Sequence, residues 1–454
     1  MQKTQLRTVA FRSATALVIA NIIGAGIFTT TGFQASALGH PFLIFSLWII
    51  GGLLAWCGAM CYAELGAMMP EAGGEYVYLR ETYGPLFSFM SAFVSLVAGF
   101  SAPIAAALKT LVRYLSAFLP TLSRQHELFG FISIEDFIAI TLVWVLIGIH
   151  TRSLNFGFAF NDLATLFKVS GITLIIIFGF SIGNGSLENF RVIAPEFYEY
   201  SSIDLFSAFS VSLIFVMFCF SGWNAAAYIA HEIEEPQKNL PKALFSGTIL
   251  VTVLYLALNA LYFYGADVNQ LAGVAEVGLV AAQQLFGPWG VNLTVLILTI
   301  SIFASASAMT IAGPRVYYAL GLDHIHLKFL AKTKRGSTVP VAALLLQGVI
   351  TTVIILSARI DQIIQYAGFA LALFSSLAVS CVIALRIRHP ELKRPFKVIA
   401  YPITPILFLL ISGWIMAWNL FGEYWLESLL SLVTVFFAAV LFTALNKRTG
   451  IPGS

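Results

Sequence analysis

The sequence has few charged residues. Asp, Glu, Lys and Arg make up 10% of its 454 residues, whereas soluble domains carry about 25%. No charge occurs between Arg12 and Glu64, a stretch long enough for two membrane-spanning helices of roughly 20 residues each. Hydrophobic residues make up 59% of the chain. A protein of this composition cannot cover a water-facing surface with polar groups, so we expect its outer surface to face a lipid bilayer.

Cysteine is also scarce. The four cysteines lie inside apolar segments, where disulfides are not expected, at Cys57, Cys61, Cys219 and Cys381. Their spacing matches no metal site, and we predict neither a metal nor another cofactor. The first apolar segment lacks a small-residue cleavage site and is expected to remain as a membrane anchor. The net charge of +3 is too small to indicate a nucleic-acid partner.

Apolar segments separated by polar, Pro or Gly stretches predict twelve membrane-spanning helices. The predicted spans cover residues 13–38, 42–66, 85–118, 134–150, 158–182, 205–231, 243–265, 291–320, 340–358, 361–386, 402–421 and 425–445. We expect a polar loop over 183–204 and a short surface helix over 268–287. Helices are required because hydrocarbon offers the backbone no other partner, and these segments are too long and uniformly apolar for barrel strands.

The basic residues predict the orientation. An even number of spans places both termini on one side of the membrane. Of the 25 Lys and Arg residues, nineteen fall on that side, five fall on the other, and Lys168 falls inside a span. The positive-inside rule therefore predicts that both termini are cytoplasmic. We expect a multi-pass protein of the plasma or inner membrane of the cell.

Two predicted spans contain glycines that weaken a helix by about 1 kcal/mol each relative to alanine. Residues 21–28 read NIIGAGIF and residues 218–224 read FCFSGWN. Close packing between membrane helices is the alternative reason for such glycines. These spans, the first and the sixth, open two blocks of five spans and of similar length, 13–182 and 205–386. Because five is odd, the blocks lie in opposite orientations.

Interrupted helices at matching positions of inverted repeats indicate the midplane site of a transporter. An unwound segment frees amide groups at the start of the next half-helix, where the positive end of the dipole favours a carboxylate. It also frees carbonyl oxygens at the end of the preceding half-helix, which suit an ammonium group. An α-amino acid carries both groups. We therefore expect residues 1–454 to form one transporter domain for amino acids, with 402–445 as two accessory helices.

Three motifs resemble the amino acid–polyamine–organocation superfamily, and most closely its L-type amino-acid transporter branch and bacterial relatives. They are IGAGIF at 23–28; GAMCYAELG at 58–66 with the glycines, tyrosines and proline that follow up to Gly84; and GWN at 222–224 with Glu232, Pro236 and NLP at 239–241. The resemblance covers about residues 10–390. It implies the LeuT-like fold, an inverted repeat of five plus five helices with helices one and six interrupted.

The resemblance also implies a substrate site on the two interruptions. The amides of Ala25 and Gly26 would bind the substrate carboxylate. The substrate amino group would bind to carbonyl oxygens of Ile22, Ile23, Phe218 and Ser221.

The same resemblance implies roles for three side chains on the sixth span. Phe218 matches the aromatic residue that closes over substrate, although most of the 39 phenylalanines simply face lipid or pack. Asn224 matches a polar residue near the substrate. Cys219 either lines the pocket or packs as a small residue.

Lys168 is a charge inside the fifth span. On insertion scales such a charge costs about 2.5–3.5 kcal/mol, which marks it as a functional candidate unless it reaches the membrane surface. In related permeases a lysine at this position lies where sodium-coupled relatives hold sodium. Lys168 would then join the first and eighth helices through Ser305 or Ser307, either as a fixed cation or as the carrier of a coupled proton.

Acidic residues are placed near the membrane faces rather than beside the interruptions. Glu64 and Glu232 fall at cytoplasmic helix ends, where they are gate candidates that pair with nearby Lys or Arg. Without a carboxylate near the unwound segments, we expect a neutral L-amino acid as substrate, moved by exchange or with protons. A cationic amino-acid or polyamine permease of the same fold is the alternative, since aromatic faces and carbonyls also bind cations.

Other function classes find less support. A channel would need a continuous polar lining or a filter motif, and a membrane enzyme would need a cluster of catalytic groups within the spans. Neither pattern occurs, and the seven histidines lie near loops. A sodium symporter of the same fold is disfavoured by Lys168. No obligate protein partner is evident, although pairing with a single-span glycoprotein stays open.

Overall fold

The computed structural model describes residues 8–116, 119, 127–128, 132–151, 154–333 and 339–449. Two residues at the end of the third predicted span, 117 and 118, lie outside the described part. A short antiparallel pair, Glu127–Leu128 with Ile132–Ser133, precedes the fourth span. All the other regular structure described is helical, as hydrocarbon requires.

Helices lie at each of the twelve predicted segments. In chain order they are α1 (Phe11–Ile22), α2 (Thr30–Leu38), α3 (Pro41–Met68), α4 (Glu75–Tyr83), α5 (Pro85–Val94), α6 (Ala102–Ser116), α7 (Ile134–His150), α8 (Leu154–Ile182), α9 (Ser202–Phe220), α10 (Ala225–Tyr228), α11 (Pro236–Gly265), α12 (Val268–Leu271), α13 (Val277–Asp323), α14 (Val341–Ser357), α15 (Ile360–Arg388), α16 (Ile403–Asn419) and α17 (Trp425–Thr449). A π-helical segment, Ser95–Ser101, joins α5 to α6.

Eight helical stretches among the described residues are long and apolar enough to cross a membrane. They are Pro41–Met68, Pro85–Ser116, Asn161–Ile182, Ser202–Phe220, Pro236–Gly265, Val277–Asp323, Ile360–Arg388 and Trp425–Asn446. Shorter apolar helices are α1, α14 and α16. Their outer faces carry large apolar side chains, for example Phe436 and Leu410, which are 71% and 67% exposed. Such a surface requires lipid, so the chain is a multi-pass membrane protein.

The expected surface helix over 268–287 is wrong in two respects. The segment divides into the single turn α12 and the first part of α13, and α13 kinks at Gly287, where φ is 69°. Val268, Leu271 and Val277 are fully buried. The backbone of Val274 lies so close to Gly32 that a side chain there would overlap it. One face of this segment therefore packs onto α2, while Asn269, Gln270 and Ala272 stay exposed.

Small residues let the central helices approach closely. α3 runs through the middle of the bundle between α9 and α11. A Cβ atom on Gly52 would lie 2.5 Å from Thr252 on α11, and a Cβ on Gly66 would lie 2.5 Å from Leu240. Close backbone approach is how membrane helices gain packing energy without a hydrophobic driving force. The packing positions the two interrupted helices next to each other.

Candidate functional site

The first interruption separates α1 from α2. α1 ends at Ile22, and a single 3-10 turn over Gly26–Phe28 leads into α2. The amides of Ala25 and Gly26 donate no hydrogen bond to any residue that the structure describes. Free amides at the start of a resuming helix favour an anion, because the dipole adds to their own polarity. The interruption expected from NIIGAGIF is therefore present, with two amide donors available.

The second interruption separates α9 from α10. α9 ends at Phe220, Ser221 is extended, and α10 begins at Ala225. Between them Gly222 has φ +96°, in the region that favours glycine. A Cβ atom there would also lie 2.9 Å from three atoms of Asn21. Glycine is thus required at position 222 both for its backbone conformation and for its contact with the first interrupted helix.

The two interruptions pack directly on each other. A Cβ atom on Gly26 would lie 2.5 Å from the Sγ of Cys219. The Cys219 thiol also lies 3.2 Å from the hydroxyl of Thr30 on α2. Cys219 is 3% exposed. In this conformation Cys219 packs as a small residue, because its side chain fills the space against the first interruption.

Tyr255 on α11 joins the two interruptions. Its hydroxyl lies 2.7 Å from the carbonyl oxygen of Ile22 and 3.0 Å from that of Cys219. Tyr255 is fully buried. Nothing in the local sequence distinguishes this tyrosine from the others in apolar segments, and sequence reasoning missed it. It leaves the Ile22 carbonyl with one lone pair for a further donor.

Lys168 on α8 is fully buried and binds the end of α1. Its Nζ donates to the carbonyl oxygens of Ala20 at 3.1 Å and Ile23 at 2.8 Å, and to the Oγ of Ser305 at 2.6 Å. A cation at a helix C-terminus is stabilised by the dipole. Ser305 in turn donates to Ile23. Lys168 therefore does not reach the membrane surface, and it joins the first and eighth spans through Ser305 as expected.

One sequence-based expectation around Lys168 fails in this structure, and of the two serines offered as its partner only Ser305 contacts it. The carbonyl oxygen of Ile23 already accepts from Lys168 and Ser305, which uses both of its lone pairs, so it is not free for a substrate amine. Ser307 does not meet Lys168. Its hydroxyl lies 2.8 Å from Nε2 of His150 on α7. Two residues along a helix turn by about 200°, so Ser305 and Ser307 face different neighbours.

A cavity adjoins the second interruption on the side towards α3, α15 and α16. Its lining residues include Ser221, Gly222, Trp223 and Asn224, with Gly368 and Phe408 among those from the other helices. Phe218 lies next to it, since a Cβ on Gly368 would be 3.6 Å from that of Phe218. Residues of the first interruption do not line this cavity. The pocket that both interruptions were expected to share is thus filled by their mutual packing in this conformation.

Asn224 leads to an acidic residue that sequence reasoning missed. Its Nδ2 donates to the Oε1 of Glu75 at 2.8 Å and to the hydroxyl of Tyr228 at 3.0 Å. Tyr62 on α3 donates to the same oxygen at 2.5 Å. The expectation that no carboxylate lies near the interruptions is therefore wrong. Glu75 is the first residue of α4 and follows Gly73-Gly74 in the loop before it. That glycine pair is the signal that could have indicated a close backbone approach.

The first gate candidate, Glu64, lies at the end of α3. It is 1% exposed and binds Arg386 through two hydrogen bonds of 2.9 and 2.5 Å. It also accepts from the amide of Val398 at 2.7 Å and lies 3.4 Å from Arg394. Glu64 thus joins α3, α15 and the segment before α16.

The second gate candidate, Glu232, follows α10. Its side chain lies 3.3 Å from the Nε of Arg315 on α13. Its backbone carbonyl accepts from the amides of Thr8 and Val9. Both gate candidates therefore hold different parts of the chain together at the same end of the bundle.

The family of this protein follows from comparison with known proteins. The family described as amino acid permease matches residues 9–446, nearly the whole chain. The chain belongs to the amino acid permease family. The resemblance to the amino acid–polyamine–organocation superfamily is thereby confirmed, and the permease is an amino-acid transporter rather than an enzyme.

Several relatives cover most of the permease. The large neutral amino acids transporter small subunit 2 of Mus musculus is 27% identical over 423 residues, covering 90% of this chain and 76% of the relative. The b(0,+)-type amino acid transporter 1 of Homo sapiens is 29% identical over 406 residues, covering 88% and 80%. The cystine/glutamate transporter of Pongo abelii is 26% identical over 437 residues, covering 96% and 84%.

Proposed function

We propose that this permease moves neutral L-amino acids by alternating access, by exchange or with protons. The observation that carries the proposal is the direct packing of two helix interruptions, which present main-chain polar groups instead of charged side chains. Ten of the twelve spans form two inverted repeats, 13–182 and 205–386, and residues 402–445 add two accessory helices. The protein lies in the plasma or inner membrane with both termini in the cytoplasm. Alternating access is then motion of one repeat against the other around the site.

The zwitterion is bound by the groups that the interruptions leave free. The amides of Ala25 and Gly26 receive the carboxylate at the start of the resuming half-helix. The amino group binds to the carbonyls of Ile22, Phe218 and Ser221. Ile23 is left out of this set because Lys168 and Ser305 occupy its oxygen. For the substrate to enter, Gly26 and Cys219 must separate, which is part of the motion proposed.

Lys168 is proposed to replace a coupling cation. Its ammonium group has three N–H donors, and three acceptors surround it. A neutral amine would have only two donors and would leave one acceptor without a partner. Lys168 therefore acts as a fixed cation that stabilises the end of α1, and transport should not require sodium.

The choice of a neutral substrate rests on the side chains at the second interruption. The cavity beside it is lined mainly by apolar and small residues, and Phe218, next to that cavity, would cover a bound side chain. A cationic substrate is the second candidate, and Glu75 is the observation that favours it. Its Oε1 is already engaged by three protein donors, so a substrate cation would have to displace them.

A counterflow assay tests the proposal. Purified permease in liposomes preloaded with one unlabelled amino acid is offered a panel of labelled neutral, cationic and acidic amino acids. Neutral L-amino acids should accumulate without sodium, with and without a pH gradient. Accumulation of arginine but of no neutral amino acid would contradict the proposal. In that case Glu75→Gln should abolish arginine uptake, whereas Glu71→Gln, which alters an exposed carboxylate of the same loop, should not.

A further inference from the structure

Glu75 is a buried carboxyl group held by neutral partners. It is 3% exposed. Its Oε1 accepts from Tyr62 at 2.5 Å, from Asn224 at 2.8 Å and from Tyr228 at 3.4 Å. These donors come from α3, the second interruption and α10. Its Oε2 has no hydrogen-bond partner among the residues that the structure describes. One carboxyl oxygen is therefore left free to carry a proton while the other accepts all three hydrogen bonds.

The surroundings of Glu75 contain titratable groups but no cation. The groups that interact with it electrostatically are Tyr62, Tyr78, Tyr228 and Cys381, from α3, α4, α10 and α15. In the described part of the chain, no Lys, Arg or His forms an ion pair with it. Burial raises the pKa of the Glu75 carboxyl, at the start of α4, and the three hydrogen bonds only partly oppose that effect. A buried carboxylate without a counter-charge is costly, and it avoids that cost by binding a proton.

The loop before Glu75 packs against α10. The amide of Gly73 donates to the carbonyl of Tyr228 at 3.2 Å. A Cβ on Gly74 would lie 2.8 Å from the Tyr228 ring. Both glycines have positive φ, which this close approach requires. Separation of α10 from the loop would remove Asn224 and Tyr228 from Glu75 and admit water to it.

We propose that Glu75 is a proton-binding site, which holds a proton while the cytoplasmic side is closed and releases it when α10 separates from residues 73–75. The inference rests on the proposed function, because it uses the motion of the sixth span in alternating access. It assigns the titrating role to Glu75 and leaves Lys168, whose three donors are all satisfied, as a fixed cation. No bond other than that to the proton forms or breaks.

The direction of the pH effect follows from linkage. The closed state binds the proton more tightly than the hydrated, open state. Below the open-state pKa both states are protonated, and the equilibrium does not depend on pH. As pH rises through the interval between the two pKa values, the closed state loses stability relative to the open one, by up to about tenfold per pH unit for one proton. The open fraction should therefore increase with pH.

The native thiol of Cys219 can report the open fraction. Cys219 is buried beneath Gly26, so a small thiol reagent reaches it only after the interruptions separate. The other three cysteines are replaced by alanine, and the labelling rate is measured from pH 5 to pH 9 in proteoliposomes. Each rate is divided by that of the same protein carrying Glu75→Gln, because this ratio cancels the ionisation of the thiol itself. Gln keeps an oxygen acceptor and does not titrate.

The expected ratio is near one at low pH and rises by up to about tenfold per unit at higher pH. Glu71→Gln, in the same loop and exposed, should leave the wild-type profile unchanged. Tyr62→Phe gives a second test should Glu75→Gln not fold. It removes a hydrogen bond that the ionised form accepts in the closed state, which raises the closed-state pKa. The rise in labelling rate should therefore continue to higher pH than in the wild type, by on the order of one unit. A flat ratio, or a rise in Tyr62→Phe that ends at the same pH as in the wild type, overturns the proposal.

Counterflow in the same vesicles separates this inference from the proposed function. Counterflow of a neutral amino acid together with a flat labelling ratio would leave the transport proposal standing and overturn the proton site. A pH-dependent ratio without counterflow of any neutral amino acid would overturn the substrate proposal and support the proton site.

Discussion

Replacing Gly26 by alanine tests whether the two interruptions pack on each other as described. The new Cβ would lie 2.5 Å from the Sγ of Cys219 and 3.3 Å from its Cα. An added methyl group in a packed interior costs about 1–3 kcal/mol. The overlap is mainly with the sulfur atom, so Cys219→Ala should make room for the methyl group and restore most of the lost stability. The Cys219→Ala variant alone loses only a weak contact with Thr30.

The assay is a double-mutant cycle on thermal stability in detergent, with counterflow rate as a second readout. We expect Gly26→Ala to be clearly destabilised and the double variant to recover, with a coupling energy of about 1–3 kcal/mol. Gly413→Ala is the matched control, because nothing lies within 4 Å of its Cβ position on α16. Equal stability of Gly26→Ala and Gly413→Ala, or no recovery in the double variant, would refute the packing of the two interruptions.

Three further substitutions give independent tests. Lys168→Met should lower counterflow at least tenfold, because three acceptors lose a charged donor worth about 1.5–3 kcal/mol each; radiotracer exchange measures this. Glu64→Gln should lower thermal stability by about 3–5 kcal/mol, because Arg386 then has no charged partner at a largely buried site. Gly222→Ala should abolish counterflow, since it combines a strained backbone with overlap of Asn21.

Matched controls separate these effects from general damage. Lys242→Met, on the exposed side of α11, is the control for Lys168→Met. Glu71→Gln is the control for Glu64→Gln, because the Glu71 side chain is 59% exposed. Gly413 again serves for Gly222. If Lys242→Met lowered exchange as much as Lys168→Met, the fixed-cation role would be unsupported. If Glu71→Gln lowered thermal stability as much as Glu64→Gln, the buried ion pair of Glu64 would contribute no more than an exposed one.

The features that sequence predicted well are those set by local composition. Span length follows from the thickness of hydrocarbon, so apolar runs located helices at all twelve segments. The interruptions followed from glycines in apolar helices, and the burial of Lys168 followed from its place in α8. Each of these depends on a residue and its near neighbours in the chain.

The features that sequence missed depend on contacts between distant segments. Tyr255 reaches Ile22 across 233 positions, and Glu75 reaches Asn224 across 149. No local sequence pattern indicates contacts between residues this far apart in the chain. Sequence also missed that the Ile23 carbonyl oxygen is already hydrogen-bonded, because only the fold brings Lys168 to that oxygen.

Competition by substrate analogues tests most directly whether main-chain groups recognise both ends of an amino acid. In counterflow of a labelled neutral amino acid, the unlabelled parent should inhibit strongly. Its methyl ester, which lacks the carboxylate, and its deaminated acid, which lacks the ammonium group, should each inhibit at least tenfold more weakly, because each leaves one set of backbone groups unpaired. Inhibition by either analogue as strong as that by the parent would contradict recognition through the two interruptions.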